Sequence, residues 1–355
     1  MIMTGMRASV LYGQTFRTEN RPVPEPGPGE VLVKVRSCGI CGSDLHVFKH
    51  QKHTIETARS LGADVTELER AYNQGVVLGH EFVGEVCAFG PGTERSLAVG
   101  DRVVSMPFVL KQGAPVLIGS NPETTGAYAE YMTLTEAMLL KVPATVPTEA
   151  AAFVEPLGIA VHSVNKAALP DGAAAVIVGA GPIGLAITAV LKARGVRTII
   201  ASDLSPKRRE LAARMGAGYV VNGAEQSPIT VAAEKAPGAP LVIFENTGAP
   251  GMLGRLVLEA PQNARIVVTG IASGNESFLP MVAIAKELSM VFVIYYSPEE
   301  FADALRLIEQ GLFDWKALHT GTVGLDGIAG AFSELADPEK HAKILIDPWS
   351  DGSLN

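Results

Sequence analysis

Two textures follow one another along the chain. Up to about residue 148, short β-prone stretches at 8–11, 30–36, 85–89, 100–104 and 128–132 are separated by Pro/Gly punctuation such as that of 21–29. After about residue 149, six short and wholly apolar runs alternate with helical stretches. They lie at 174–178, 198–202, 219–221, 241–244, 266–269 and 290–295. Strands that are apolar without alternation are expected where helices cover both faces of a parallel sheet. The pattern therefore predicts an α/β chain: a β-rich first part, then a doubly wound parallel sheet. Beyond it the pattern predicts a helix at 298–311 and a last apolar strand at 342–347.

Composition narrows the class. A length of 355 residues suggests two domains, and 47% hydrophobic against 19% charged residues leaves ample material for a core. The net charge of -8 comes without a basic stripe, so nucleic acid is not an expected partner. Three cysteines are too few for a disulfide framework and point to a reducing compartment, with cytoplasmic localisation expected. No apolar stretch of signal-peptide length opens the sequence. Segment 172–191 is uncharged and long enough to span a bilayer. Its central Gly179, Gly181, Pro182 and Gly184 fit better with a strand, a turn and a buried helix, so no membrane is expected.

That turn carries the first chemistry. Residues 179–184 read Gly-Ala-Gly-Pro-Ile-Gly, follow an apolar strand and open a helix. Gly179, Gly181 and Gly184 permit the tight turn and the close approach of a pyrophosphate, with Pro182 and Ile183 starting the helix. The free N–H groups there suit a phosphate anion. Asp203 closes the next strand, where a carboxylate binds ribose hydroxyls and repels a ribose phosphate, favouring NAD over NADP. Ser205-Pro206 already supplies a helix cap, so Asp203 is not needed as one. Lys207 and Arg208 nearby temper that preference, and Arg208 is a further cofactor-binding candidate.

Cys41, His80 and Glu155 are scattered but chemically matched. A thiolate, an imidazole and a carboxylate make a three-ligand zinc set with one open position for substrate. Taken alone, the cysteine reads as packing and the histidine as a satisfied core residue. Cys38-x-x-Cys41 resembles half of a structural metal knuckle, but only Cys87 remains as a further thiol.

In combination the motifs are more specific. Gly-Ile-Cys-Gly-Ser-Asp-Leu-His (39–46), Gly-His-Glu (79–81), Gly-Asp-Arg-Val (100–103), Val-Glu-Pro-Leu (154–157) and the glycine loop occur in this order. The chain resembles the zinc-dependent medium-chain alcohol and polyol dehydrogenases, closest to the sorbitol- and threonine-dehydrogenase-like branch. The resemblance spans nearly the whole chain. It implies a GroES-like catalytic domain at 1–157 and 297–355, a Rossmann cofactor domain at 158–296, and an active site in the cleft between them. It makes Cys41 and His80 zinc ligands, with Glu155 the third, directly or through water, and Glu81 a neighbour that exchanges with it. Asp44 then orients His80, and Ser43 passes the alcohol proton towards His46. Cys38 matches no ligand position and reads as packing.

Two departures stand out. The four-cysteine cluster that holds a second, structural zinc in many relatives is missing after Gly-Asp-Arg-Val, so one zinc per chain is expected. His46 and His80 also lie further apart than is usual. The extra segment, 50–75, is polar and helix-prone, and Thr66-x-x-Glu69 reads as a capping box. It is either a cover for the substrate pocket or a solvated excursion. His50 and His53 within it face water.

The expected reaction is hydride transfer between a small-molecule alcohol, secondary or polyol, and NAD. Zinc would acidify the hydroxyl and Ser43 would carry the proton away. A zinc-free quinone or enone reductase of the same superfamily would lack Cys41, His80 and Glu155. A non-enzymatic NAD-binding protein on this fold is the other alternative. The apolar run 290–296, if it forms the last strand, has an open edge that a two-fold mate would close. A homodimer is thus expected, or a homotetramer built from it.

Overall fold

The computed structural model describes residues 5–355 except 63, 120–123, 273, 353 and 355. The chain divides into two compact units, 1–155 with 319–355, and 156–318. The first boundary falls within two residues of the expected one. The second lies at 318 rather than 296, because helix Pro298–Glu309 belongs to the second unit. Its buried face (Phe301, Ala304, Leu305 and Ile308) is that of an amphipathic helix. Phe301 stacks on Tyr296 with 5.4 Å between centroids. Glu300 holds His162 at 2.7 Å and Asn165 at 2.6 Å.

The second unit is built on six parallel strands. Across the sheet they run Tyr219–Val221, Thr198–Ser202, Ala174–Val178, Leu241–Glu245, Arg265–Val268 and Ser289–Phe292. These are the six apolar runs, in the 3-2-1-4-5-6 order of a dinucleotide-binding sheet. The order reverses between Ala174–Val178 and Leu241–Glu245, whose last residues, Val178 and Glu245, face each other in register. Ligands of such sheets bind outside the carboxyl ends at this reversal.

The first unit is antiparallel apart from one pair. Strands His319–Val323, Lys343–Ile346, Glu30–Gly39, Glu81–Phe89, Arg102–Ser105 and Leu139–Lys141 are neighbours in this order, with Tyr131–Thr135 also on Glu30–Gly39. The C-terminal strand Lys343–Ile346 returns to pair with Cys38 and Gly39, which places Lys343 at the zinc motif. Thr15–Arg21 is a strand the apolar pattern misses. It is polar, partly exposed, and held by pairing with Met6–Tyr12.

Segment 50–75 is not simply a solvated excursion. Helix Gly42–Ser60 extends into it, with a break of helical geometry at His50. Helix Thr66–Gln74 follows and buries Ala71 and Tyr72, while Val65 is buried just before it. Gly75 packs so closely that a Cβ would meet the Tyr12 ring at 2.5 Å. Leu11 then bridges to Val76. The later half is thus part of the catalytic unit's core. The capping box does not form either: Val65 is the N-cap, Thr66 N donates to Asp64 Oδ1 at 2.9 Å, and Glu69 pairs with Arg59 at 2.6 Å. Asp64 takes the Thr66 N–H because its short carboxylate reaches forward to the amide two residues on.

Candidate active site

Cys41 is the N-cap of helix Gly42–Ser60. Asp44, three residues on, accepts from Cys41 N at 3.0 Å through Oδ2, so the helix start itself fixes the thiol's position. Asp44 is buried, and Tyr128 OH donates to the same oxygen at 2.8 Å. Its other oxygen, Oδ1, lies 3.4 Å from His80 Nδ1. His80 arrives from the other side, just ahead of strand Glu81–Phe89. Gly79 before it has φ +101°, and a Cβ there would meet the Tyr128 ring at 2.5 Å. Only glycine lets the chain pass and present the imidazole.

The result is a histidine whose two ring nitrogens meet different partners. Its Nε2 is aimed at Ser43 Oγ, 3.4 Å away. Burial alone would push His80 down and Asp44 up. Their mutual attraction reverses both, with Cys41 adding to the rise of His80. Burial also raises Tyr128, keeping its phenol a donor. A carboxylate behind the distal nitrogen is the usual support of a metal-bound imidazole. Thiol and imidazole beside one another suit a zinc ion by their chemistry.

The structure brings Cys41, Ser43, Asp44 and His80 together, but the expected third ligand does not join them as a formed set. Among the described residues, no three His, Cys, Asp or Glu side chains converge closely enough to hold a metal ion. Glu155 is buried in the first turn of helix Val154–Ala167 and lies within the field of Lys343. Glu81 is committed elsewhere: its two oxygens accept from Lys343 Nζ at 2.8 and 2.6 Å. The third proton of that ammonium goes to Ile40 O at 3.0 Å. Burial works against the Lys343 charge, and Glu81, Cys41 and Glu155 together hold its pKa above the usual value.

Lys343 and Tyr128 escaped the motif reading. The signal for Lys343 was present, since a lysine inside an apolar run needs a buried partner. Cys38 is buried, its thiol raised chiefly by burial, as a packing residue's would be. His46 is half-buried, 5.0 Å from the His50 ring; burial, then His50 and His53, lower its pKa, so it is a neutral acceptor.

In the second unit, residues 179–184 form the expected turn. Gly179 has φ +90°, and a Cβ would meet Thr247 Cγ2 at 2.6 Å; at Gly184 it would meet Gly179 O at 2.0 Å. At Gly181 nothing lies within 4 Å, which leaves an open face for an approaching phosphate. Gly181 is the N-cap of helix Pro182–Ala193, with Pro182 first and Ile183 after it. Asp203 Oδ2 accepts from Ala180 N at 2.8 Å and Oδ1 from Ser205 N at 2.9 Å. Ser205 caps its helix by accepting from Arg208 N, and Arg208 Nη1 stands 3.8 Å from Asp203.

A cysteine–histidine pair backed by a carboxylate, on a chain that also carries a dinucleotide loop, defines a zinc- and nicotinamide-dependent dehydrogenase. Residues 27–144 match the alcohol dehydrogenase GroES-like domain, and 182–310 the zinc-binding dehydrogenase domain. The chain is 31% identical to (R,R)-butanediol dehydrogenase of Bacillus subtilis, covering 97% of this chain and 100% of that one. It is 30% identical to sorbitol dehydrogenase of Gallus gallus, with 98% of each covered. The crystal structure of 2R,3R-butanediol dehydrogenase from Bacillus subtilis superposes with a TM-score of 0.83 at 30% identity, over 97% of this chain and 99% of that one. The chain belongs to the zinc-binding medium-chain alcohol dehydrogenases, enzymes that use zinc and NAD in alcohol oxidoreduction. No helix among the described residues is long and apolar enough to cross a membrane.

Proposed function

We propose that the enzyme oxidises a secondary alcohol or polyol to the ketone with NAD, using Cys41, His80 and Glu155 as zinc ligands. The observation that carries this is His80, held at Nδ1 by buried Asp44 with Nε2 turned towards Cys41 and Ser43. Zinc, when bound, acidifies the substrate hydroxyl, and the nicotinamide takes the hydride. Ser43 Oγ stands where it can accept the hydroxyl proton and pass it on towards neutral His46. Asp44 fixes the His80 tautomer, and Tyr128 OH fixes Asp44. Lys343 neutralises Glu81, and Glu155, buried and within the field of Lys343, supplies the third ligand in this reading. A glutamate rather than a third sulfur, and the butanediol and sorbitol dehydrogenases among the relatives, favour secondary alcohols and polyols. The three free cysteines fit a cytoplasmic setting.

The test is NADH formation across a panel of vicinal diols, polyols and primary alcohols, run with NAD and with NADP. Vicinal diols or polyols with NAD are expected to give the highest kcat/KM. Asp203→Ala is expected to narrow the NAD-over-NADP ratio about tenfold or more, by removing a carboxylate that repels the ribose phosphate. A wild-type preference for NADP, or activity confined to primary alcohols, overturns this reading.

We further propose a homodimer formed along strand Ser289–Phe292, one of the two edges of the six-stranded sheet. Met281, Ile284, Phe292 and Ile294 around it are 66–76% exposed, a patch that a two-fold mate would cover. Light scattering at micromolar concentration is expected to give a dimer or a multiple of it; a monomer contradicts the proposal.

A further inference from the structure

Glu245 ends the fourth strand of the nucleotide sheet, at the point where strand order reverses. It is 1% exposed, and among the described residues no cation pairs with it. Such a charge is tolerated only where hydrogen bonds replace water. Here its Oε1 accepts from Thr247 N at 2.7 Å, from Gly248 N at 3.0 Å and from the Thr247 hydroxyl. All three donors lie in the turn that follows Glu245 itself, so the carboxylate folds that turn back over the strand end.

Two glycines let the neighbouring loops close on it. Gly248 has φ +60°, and a Cβ there would meet Ile271 O at 2.5 Å. At Gly270 a Cβ would meet Gly248 N at 2.2 Å and Glu245 Oε2 at 2.5 Å. Gly270 N and Thr269 N both donate to Glu245 O. Beside it, Asn246 N donates to Val178 O at 2.9 Å, and Asn246 Oδ1 accepts from Thr269 Oγ1 at 2.6 Å. The turn thus joins the ends of three strands.

What the turn touches gives it a functional meaning. The Thr247 methyl lies against Gly179, the first glycine of the pyrophosphate loop, where a Cβ would stand 2.6 Å from it. Thr247 itself is exposed at the carboxyl end of the sheet. Residues 179–184 therefore form one wall of the crevice at the strand reversal, and 246–248 form the other.

We propose that Glu245 is a positioning residue for the dinucleotide: its buried carboxylate fixes the turn 246–248 against the glycine loop and so sets the shape of the cofactor crevice. This rests on the reading of 179–184 as the cofactor loop. Glu245 itself touches neither cofactor nor substrate; it acts through Thr247 and Gly248. A preformed crevice binds more tightly because less ordering accompanies binding.

The test is NADH binding by fluorescence titration on zinc-loaded protein, with kcat and KM for NAD measured alongside. Glu245→Gln keeps the shape but removes the charge and points an amide N–H₂ at a wall that offers donors. Its NADH Kd and its KM for NAD are expected to rise about tenfold. Zinc content and kcat at saturating NAD are expected to stay within about twofold of wild type, because the zinc motif lies on other elements. Thr247→Val removes one donor to the same carboxylate and is expected to weaken NADH binding about threefold, which keeps the proposal testable should Glu245→Gln fail to fold. Folded variants that bind NADH as the wild type does, even with lowered melting temperatures, overturn the proposal. A wild-type protein that binds no NADH overturns the cofactor-loop reading and this proposal with it.

Discussion

His80→Ala is expected to lower turnover by roughly a thousandfold or more, with zinc lost from the purified protein. The magnitude follows from what the site supplies: stabilising a developing alkoxide at a metal is worth several kcal/mol, and each factor of ten corresponds to about 1.4 kcal/mol. His80 lies beside Cys41, and if the two hold the ion as proposed, little remains to bind it when the ring is gone. Asp44→Asn bears on the same point differently. It leaves a ring in place but removes the charge that holds Nδ1, and metal affinity is expected to fall about 10- to 100-fold. Metal analysis beside steady-state kinetics reads both. A His80→Ala protein that keeps its zinc and more than a tenth of wild-type kcat removes His80 from the ligand set.

Lys343→Met has the largest expected effect on stability. Lys343 and Glu81 are 2% and 1% exposed, and all three ammonium protons are used. Removing one partner leaves a buried carboxylate alone, which costs about 3–5 kcal/mol. The double variant Glu81→Gln/Lys343→Met removes both charges and is expected to recover a large part of that loss. Denaturant unfolding of the two single variants and the double variant measures the coupling. If the effects of the single changes simply add, the pair does not act as a unit, and Glu81 is free to face the metal as the sequence pattern first suggested.

Much of this molecule is readable from the order of its residues. The six runs from 174 to 295 are apolar on both faces, and only a helix-covered parallel sheet accommodates that. The run 290–295 overshoots, since the strand ends at Phe292 and Ile294 is exposed. Helix Pro298–Glu309 was visible as a helix, but amphipathic periodicity says which face is buried and not against what. Phe301 on Tyr296 and Glu300 on His162 decide its unit, and neither contact is local in sequence.

The site divides along the same line. Cys41, Ser43 and Asp44 are one helix start, and His80 follows a glycine with a positive φ, so short motifs announce them. Lys343 reaches Glu81 across 262 positions of sequence, and Tyr128 reaches Asp44 across 84, so only the fold joins them. Glu245 was hidden for another reason. It looked like the polar end of an apolar strand, and its work is done by folding back on the two residues that follow. Thr66 and Glu69 failed as a capping box because Asp64, two residues upstream, competes for the same N–H, and Arg59 takes the glutamate.

If zinc held through Cys41 and His80 drives NAD-linked alcohol oxidation, activity depends on one bound ion per chain. The most direct test strips the protein with a chelator, then adds zinc back while following NADH formation from a vicinal diol. Activity is expected to disappear on stripping, to return in proportion to added zinc and to saturate at one equivalent per chain, with no recovery in His80→Ala. Full activity in the stripped protein, or saturation only at two equivalents, would contradict it.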